Sequence, residues 1–304
     1  MNWNALFADS SFSVKLLLTV FFFVFGLLFS IVLMSIVYNL YDVATAFEIP
    51  FLRDNYIVVI RISQLLQCLF AFLLPAIVMA YLTSNDTRSF LSLRKAPGLT
   101  LTLFTVAFML LAIPVINLLA ELNAGVKFPE FLRWFEEWTR GQENARRLIT
   151  EELLATSTLC GLLLNVLLIA FIPALCEEFF FRGLLQRFFL EKTHRVFVAV
   201  WLTAFIFSAI HIQFYGFVPR LLLGAYFGYL LVWSGSLWLP VIAHFVNNAA
   251  VVLLYFLYKN EYMSFNPEKF GVQETLFVSG INAALLVVVI LIQRSKWDKA
   301  KNNG

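Results

Sequence analysis

Hydrophobic runs dominate the chain, and their lengths predict its architecture. A helix that crosses the hydrocarbon core of a bilayer needs about 20 mostly apolar residues. Eight stretches qualify: 16–40, 57–82, 99–120, 156–186, 196–212, 217–234, 236–258 and 275–293. The fifth and sixth are short and closely linked. Lipid gives the backbone no hydrogen-bond partners, and these runs are too long for barrel strands, so they read as helices. The pattern predicts an all-α fold, a polytopic transmembrane helical bundle of about eight spans. The first run, Leu16 to Leu40, is too long for a signal-peptide core and lacks a small-residue cleavage site behind it. It reads as a retained span.

Segment 121–155 has a different pattern. Phe128, Phe131, Leu132, Phe135 and Trp138 interleave with Glu130, Arg133, Glu136, Glu137 and Arg140, and Trp134 widens the apolar stripe. This spacing predicts an amphipathic helix on the outer membrane face, either a cap on the bundle or a lid that gates substrate. The chain therefore divides into N-terminal transmembrane helices with the amphipathic loop (1–155), a core (156–258), and a last helix with a basic tail (259–304).

Composition narrows the class. The chain is 61% hydrophobic and 13% charged, against about 45–50% and about 25% in soluble domains. So little charge cannot coat a soluble protein of this size, which excludes a soluble enzyme, a disordered chain and a nucleic-acid binder. Net charge is only +3, so the placement of the basic residues matters more. Loop 83–98 carries Arg88, Arg94 and Lys95 against Asp86, and loop 183–195 carries Arg187, Lys192 and Arg195 against Glu191. The tail has Arg294, Lys296, Lys299 and Lys301 against Asp298, whereas loop 41–55 has Asp42, Glu48 and Asp54 against Arg53. The positive-inside rule then puts both termini in the cytoplasm of a multi-pass protein. The compact, loop-poor chain suggests a bacterial cytoplasmic membrane. Cys68, Cys160 and Cys176 fit neither a zinc nor a disulfide pattern and read as small packing residues.

The informative residues are ionisable groups inside the spans, each costing about 2.5–3.5 kcal/mol at the bilayer centre on insertion scales. The fourth span holds Glu177, Glu178 and Arg182 in CEEFFFRGLLQR. The fifth ends in FSAIH, with His211 four residues after Phe207, and the seventh reads AHFVNN, with His244 and Asn248 one turn apart on one face. His194 sits in a basic loop and reads as a solvated surface group. Two buried imidazoles and two buried carboxylates exceed what packing explains. At about 1.5 Å per residue, Glu177, His211, His244 and Asn248 can meet near mid-membrane. Arg182 stands four residues after Glu178 and faces it, which leaves Glu177, about 100° round the helix, for a water; the alternative is that Glu177 pairs with Arg182 too and the trio only holds helices together.

A carboxylate and an imidazole sharing a water can activate it as a nucleophile. A second imidazole and an amide can donate to a developing oxyanion. Together these parts describe hydrolysis of an amide or ester inside the membrane. Glu177, His211 and His244 also have the ligand types of a two-histidine, one-glutamate zinc site with an open position. HExxH is absent. Asn248 is a poor zinc ligand and a good oxyanion donor, which favours a reading with no cofactor, zinc being the alternative.

In order along the chain, Glu177-Glu178-Phe179-Phe180-Phe181-Arg182, Phe207 to His211 and His244 to Asn248 match EExxxR, FxxxH and HxxxN. Over about 171–250 the chain resembles the CPBP family of intramembrane endopeptidases. That family includes type II CAAX prenyl proteases and bacteriocin self-immunity (Abi-like) proteins. The resemblance implies that 156–258 is a catalytic core in which Glu177 and His211 activate the water. By the same resemblance His244 and Asn248 form the oxyanion hole, and Glu178 and Arg182 support the site. The family has been described both as metalloproteases and as glutamic proteases. The implied partners are the bilayer and a hydrophobic or lipidated peptide, such as a prenylated CAAX-type substrate. The rival readings are a non-catalytic immunity or scaffold protein, and a proton-coupled transporter relaying through Glu177, His211 and His244. The lack of an internal repeat counts against the transporter.

The other polar and aromatic residues in the spans have plainer readings. Arg61, Gln64 and Gln67 suggest interhelical hydrogen bonds, and Asn165, Asn247 and Asn282 packing polar groups. Pro173 and Pro240, each four residues before a motif residue, suggest kinks. Phe179, Phe180 and Phe181 suggest lipid or helix contact.

Overall fold

The structure, a computed structural model, describes residues 4–46 and 56–302. Glu48, Arg53 and Asp54 of the acidic loop lie outside the described residues, as do the side chains of Lys296, Asp298, Lys299 and Lys301. The described chain is helical: α1 (Phe12–Ala46), α2 (Tyr56–Thr83), α3 (Leu99–Ala124), α4 (Arg133–Leu154), α5 (Leu159–Thr193), α6 (Val196–Ala209), α7 (Phe217–Ser234), α8 (Trp238–Lys259) and α9 (Leu276–Asn302). Seven of these are long and apolar enough to cross a membrane. The chain is an integral, multi-pass membrane protein built as a polytopic helical bundle.

The expected fifth span is cut short. α6 has 14 residues, about 21 Å at 1.5 Å per residue, well under the roughly 30 Å of hydrocarbon. It stops at Ala209, so His211 lies in the turn beyond the helix rather than within a span of 196–212. The bundle's outer surface is apolar where lipid lies: Leu17, Phe21, Phe25 and Leu28 of α1 are all exposed.

Prolines shape α2 and α5 in a way the expected kinks do not describe. Pro75 and Pro173 each stand just after a π-helical stretch, Cys68–Leu73 and Val166–Phe171. Proline lacks an N–H and its ring crowds the carbonyl four residues back, so a widened turn accommodates it. Pro240 lies in the first turn of α8, where no intrahelical N–H bond is needed, so it starts a helix instead of bending one.

α5 is the central element, and Phe179 to Gln186 are buried throughout. Phe180 packs on Phe23 (5.3 Å) and Phe72 (5.7 Å), and Phe181 on Phe207 (5.1 Å), so the phenylalanine triplet makes helix contacts, not lipid contacts. Arg61 of α2 donates to Asn165 Oδ1 of α5 at 2.8 Å, the interhelical bond its spacing suggested. Cys68 and Cys176 are buried, but Cys160 is exposed near the start of α5 and packs no core.

Each end of the core is clasped. At one end Arg187 donates to Phe90 O at 2.7 Å and Trp238 Nε1 to Leu93 O at 3.1 Å, tying loop 84–98 to α5 and α8. At the other end α4 covers the turn between α6 and α7. Phe214 of that turn packs on Phe128 (4.8 Å) and on Phe135 of α4, and Arg140 stacks 4.7 Å over Tyr215. Asn123 of α3 adds a bond to Phe214 O at 2.6 Å. Phe131, Trp134 and Trp138 stay exposed, giving this amphipathic segment the aromatic face expected at a membrane interface.

Candidate active site

The site assembles where α5, α7 and α8 cross. Glu178 and Arg182, one turn apart on α5, have fully buried side chains and pair at 2.8 Å. Arg182 also donates to Gly224 O of α7 at 3.0 Å, and its guanidinium lies 4.6 Å from the Phe207 ring centre. The backbones come this close because α7 has glycines at the crossing. A Cβ at Gly228 would stand 2.7 Å from Gln186 Oε1, and Gln186 donates to Gly228 O at 3.1 Å. Small residues at helix crossings allow such approach in membranes.

His244 of α8 joins the pair. Its Nδ1 lies 2.9 Å from Glu178 Oε1, so the same carboxylate oxygen accepts from both Arg182 and His244. Phe227 stacks on the imidazole at 5.2 Å and Phe207 meets it edge-on at 5.9 Å. With Nδ1 held by Glu178, Nε2 is turned toward Glu177, whose Oε2 lies 3.9 Å away. That gap is too long for a hydrogen bond and suits a bridging group. The Glu177 side chain is 13% exposed while that of Glu178 is fully buried.

His211 is held differently. Its Nδ1 lies 2.7 Å from Phe207 O. A carbonyl only accepts, so Nδ1 carries the proton and Nε2 keeps a free lone pair. Phe207 stands between the two imidazoles, 5.0 Å from His211 and 5.9 Å from His244 between ring centres. Among the described residues no direct hydrogen bond joins His211 to Glu177. Asn248 lies one turn beyond His244, and its Oδ1 accepts from Asn247 Nδ2 at 3.1 Å. That bond leaves the Asn248 amide N–H groups as donors. His194 caps α5 in a left-handed conformation, away from the site.

Glu178, Arg182 and His244 are thus brought together, Glu177 stands beside them, and His211 and Asn248 flank them without direct contact. Among the described residues no group of three or more His, Cys, Asp or Glu side chains stands as a set that could hold a metal ion. Sequence reasoning missed Phe227, which stacks on His244, and took Asn247, which donates to Asn248 Oδ1, for a packing group only. It also missed Arg220 of α7, an ionisable residue in an apolar span. Arg220 stands so near the start of its span that snorkelling is the ordinary explanation for such a residue.

Residues 159–250 match the family described as type II CAAX prenyl endopeptidase, Rce1-like. The matched segment runs from the start of α5 into α8 and contains all three motifs. The resemblance seen in the sequence therefore holds over this segment. The uncharacterized protein YpbD of Bacillus subtilis (strain 168) is 28% identical over 89 residues, 28% of this chain and 42% of that protein. The chain thus spans less than half the length of this relative. No solved structure matches.

Proposed function

We propose that the segment similar to type II CAAX prenyl endopeptidases makes this chain an intramembrane endopeptidase, cutting a peptide bond of a membrane-associated substrate. One observation carries the reading. The buried Glu178–Arg182 pair holds His244 by one nitrogen and turns the other toward the more exposed Glu177, 3.9 Å away. A structural ion pair alone needs no second carboxylate beside it in so apolar a setting.

In this mechanism Glu177 takes a proton from a water, aided by the free Nε2 of His211, and the water oxygen bonds to the scissile carbonyl carbon. The oxyanion that forms accepts from the Asn248 amide and from His244 as an imidazolium, whose Nε2 proton is taken from the medium before attack and kept through the cycle. The proton taken up by the Glu177 and His211 pair passes to the leaving nitrogen, the C–N bond breaks, and Glu177 is an anion again. Every step uses groups of this chain, and the working hypothesis is metal-free hydrolysis. The substrate class we favour is a lipidated or hydrophobic peptide near its C-terminus. The basic residues of loops 83–98 and 183–195 favour cytoplasmic termini.

The test is cleavage of a quenched-fluorescent farnesylated CAAX peptide, and of its unlipidated twin, by detergent-purified protein with and without a chelator. We expect cleavage that survives chelation and disappears in Glu177→Gln. Activity lost to the chelator and restored by zinc overturns the metal-free step. Equal product from Glu177→Gln overturns the assignment of the base.

A further inference from the structure

α7 has two faces with different neighbours. On one, Gly224, Phe227 and Gly228 meet Arg182, His244 and Gln186 of the candidate site. On the other, Leu222, Tyr226, Tyr229 and Trp233 line a groove of about 650 Å³ that α3, α6 and α9 complete. At about 100° per residue the two sets lie about 180° apart around the helix. The groove follows α7 from Pro219 to Trp233, about 21 Å at 1.5 Å per residue. One leaflet supplies about half of a hydrocarbon core of roughly 30 Å, so the groove is long enough for an acyl chain.

Its ends differ in charge. Arg294 of α9 is the one charged residue in the lining, and it is exposed. It stands at the end where Val196 opens α6 and Trp233 nears the close of α7, the end that carries the basic loop 183–195. Arg195, one residue before Val196, adds a second positive charge there, while Glu191 of the same loop is paired with Arg187 at 2.9 Å. Among the described residues neither Arg195 nor Arg294 has a carboxylate partner; the side chain of Asp298, one turn past Arg294, lies outside them. Trp233 and Trp297 line this end, as tryptophans do at the level of lipid headgroups. An apolar slot closed by a guanidinium complements a molecule with a hydrocarbon tail and an anionic head, because the planar fork matches a phosphate.

We propose that this groove binds an anionic glycerophospholipid, with one acyl chain along α7 and the phosphate on Arg294. The inference does not rest on the hydrolase reading. A lipid chain on a substrate is apolar too, but from this groove it would have to pass α7 to reach Glu177. The face of α7 toward the site is closed: a Cβ at Gly228 would stand 2.7 Å from Gln186 Oε1, and one at Gly224 3.2 Å from Ala204 Cβ. The groove therefore suits a lipid of the bilayer, and the two arginines select for negative charge.

The full chain in uncharged detergent is titrated with phosphatidylglycerol or phosphatidylcholine of the same acyl chains, and bound lipid is counted by native mass spectrometry. Each arginine near a membrane surface is worth about fivefold in binding of anionic lipid, so we expect phosphatidylglycerol to be held about five- to thirtyfold more tightly. Arg294→Gln, at an exposed position, should cut that preference about fivefold, and Asp298→Asn should keep it. Leu222→Trp and Val287→Trp, which narrow the groove from two helices, should each weaken both lipids. The position is read with phosphatidylglycerol brominated in its chains. Its quenching of tryptophan fluorescence should shrink in Trp201→Phe and Trp233→Phe, which line the groove, and hold in Trp238→Phe, which does not. Equal binding of the two lipids overturns the proposal, as does a preference that survives Arg294→Gln or is lost in Asp298→Asn. Quenching that ignores Trp201 and Trp233 puts the lipid elsewhere and overturns it too. A farnesylated peptide that displaces the lipid from the Glu177→Gln chain assigns the groove to substrate. A dimer that excludes lipid and falls apart in Leu222→Trp assigns it to a second copy. Either result overturns the lipid site.

Discussion

Between α5 and α8, Glu178, Arg182 and His244 bond one another through a single carboxylate oxygen at 2.8 and 2.9 Å, with their polar heads almost wholly buried and with Glu178 Oε2 and Arg182 Nε left unpartnered. At the turn between α6 and α7, by contrast, His211 is bonded through Nδ1 to the Phe207 carbonyl and keeps a free Nε2. Phe207 touches both imidazoles, 5.0 Å from His211 and 5.9 Å from His244 between ring centres. A buried network of charged hydrogen bonds holds its members in one geometry, so the first region fixes where His244 points. A ring nitrogen with a free lone pair can take up a proton, so on the proposed mechanism the second region serves the water. That mechanism divides scaffold and chemistry between adjacent residues of one helix, Glu178 for the first and Glu177 for the second.

The largest effects test that division directly. Glu177→Gln should lower the cleavage rate by about 10²- to 10⁴-fold, the usual worth of a positioned general base, with little change in thermal unfolding in detergent. Glu178→Gln should do something else, because removing one partner of a buried ion pair costs about 3–5 kcal/mol. Its unfolding midpoint should fall sharply and activity should fall with it. If the midpoints behaved the other way round, the roles of the two glutamates would be exchanged. A smaller effect is expected one turn further on. Asn248→Ala should cost about 10²- to 10³-fold in kcat, as loss of an oxyanion donor does. Asn247→Ala, which only frees the Asn248 amide to turn, should cost less. Equal losses from both asparagines would mean that Asn247, too, touches the substrate.

Much of this division is legible in the amino-acid sequence. Uninterrupted apolar runs announce the bundle, because lipid leaves the backbone little choice. The i,i+4 spacing of Glu178 and Arg182 announces their pair, because the geometry is local to one helix. Contacts between helices are not legible in this way. Phe227 stacks on His244 only because α7 crosses α8 at that height, and nothing in a run of apolar residues marks which phenylalanine meets an imidazole. The end of α6 at Ala209 is also hidden, since Ile210 and Ile212 continue the apolar pattern while the backbone turns. Arg220 is visible as a charge in a span, but its orphaned Nη1 is a fact of packing.

The smallest effects concern α4 and decide between cap and lid. Its carboxylates are tuned in opposite directions. The Arg140 side chain, hydrogen-bonded at 3.0 Å, together with the Phe128 backbone N–H, holds the Glu136 carboxyl below its usual range. Burial pushes that of Glu143 up, against Arg220 and Arg146. A depressed carboxyl contributes stability above its unfolded value, about 4.3, and loses it as pH falls through the folded value. A raised one contributes below the unfolded value and loses that contribution as pH rises through the folded one. With the intrinsic slowing of amide exchange at lower pH divided out, acidification from pH 6 to 3 should therefore lower protection near Glu136 and raise it near Glu143, both modestly because the groups are at least partly exposed. Glu136→Gln should flatten the first response and Glu143→Gln the second. Exchange that changes in the two turns separately would show that α4 can loosen over the cavity of about 590 Å³ beside Glu143 and Arg146 while staying moored at Phe128 and Phe135, which is how a lid behaves. Exchange that changes together along Arg133–Leu154 would make α4 a rigid cap, and substrate would then have to enter from the side of the bundle.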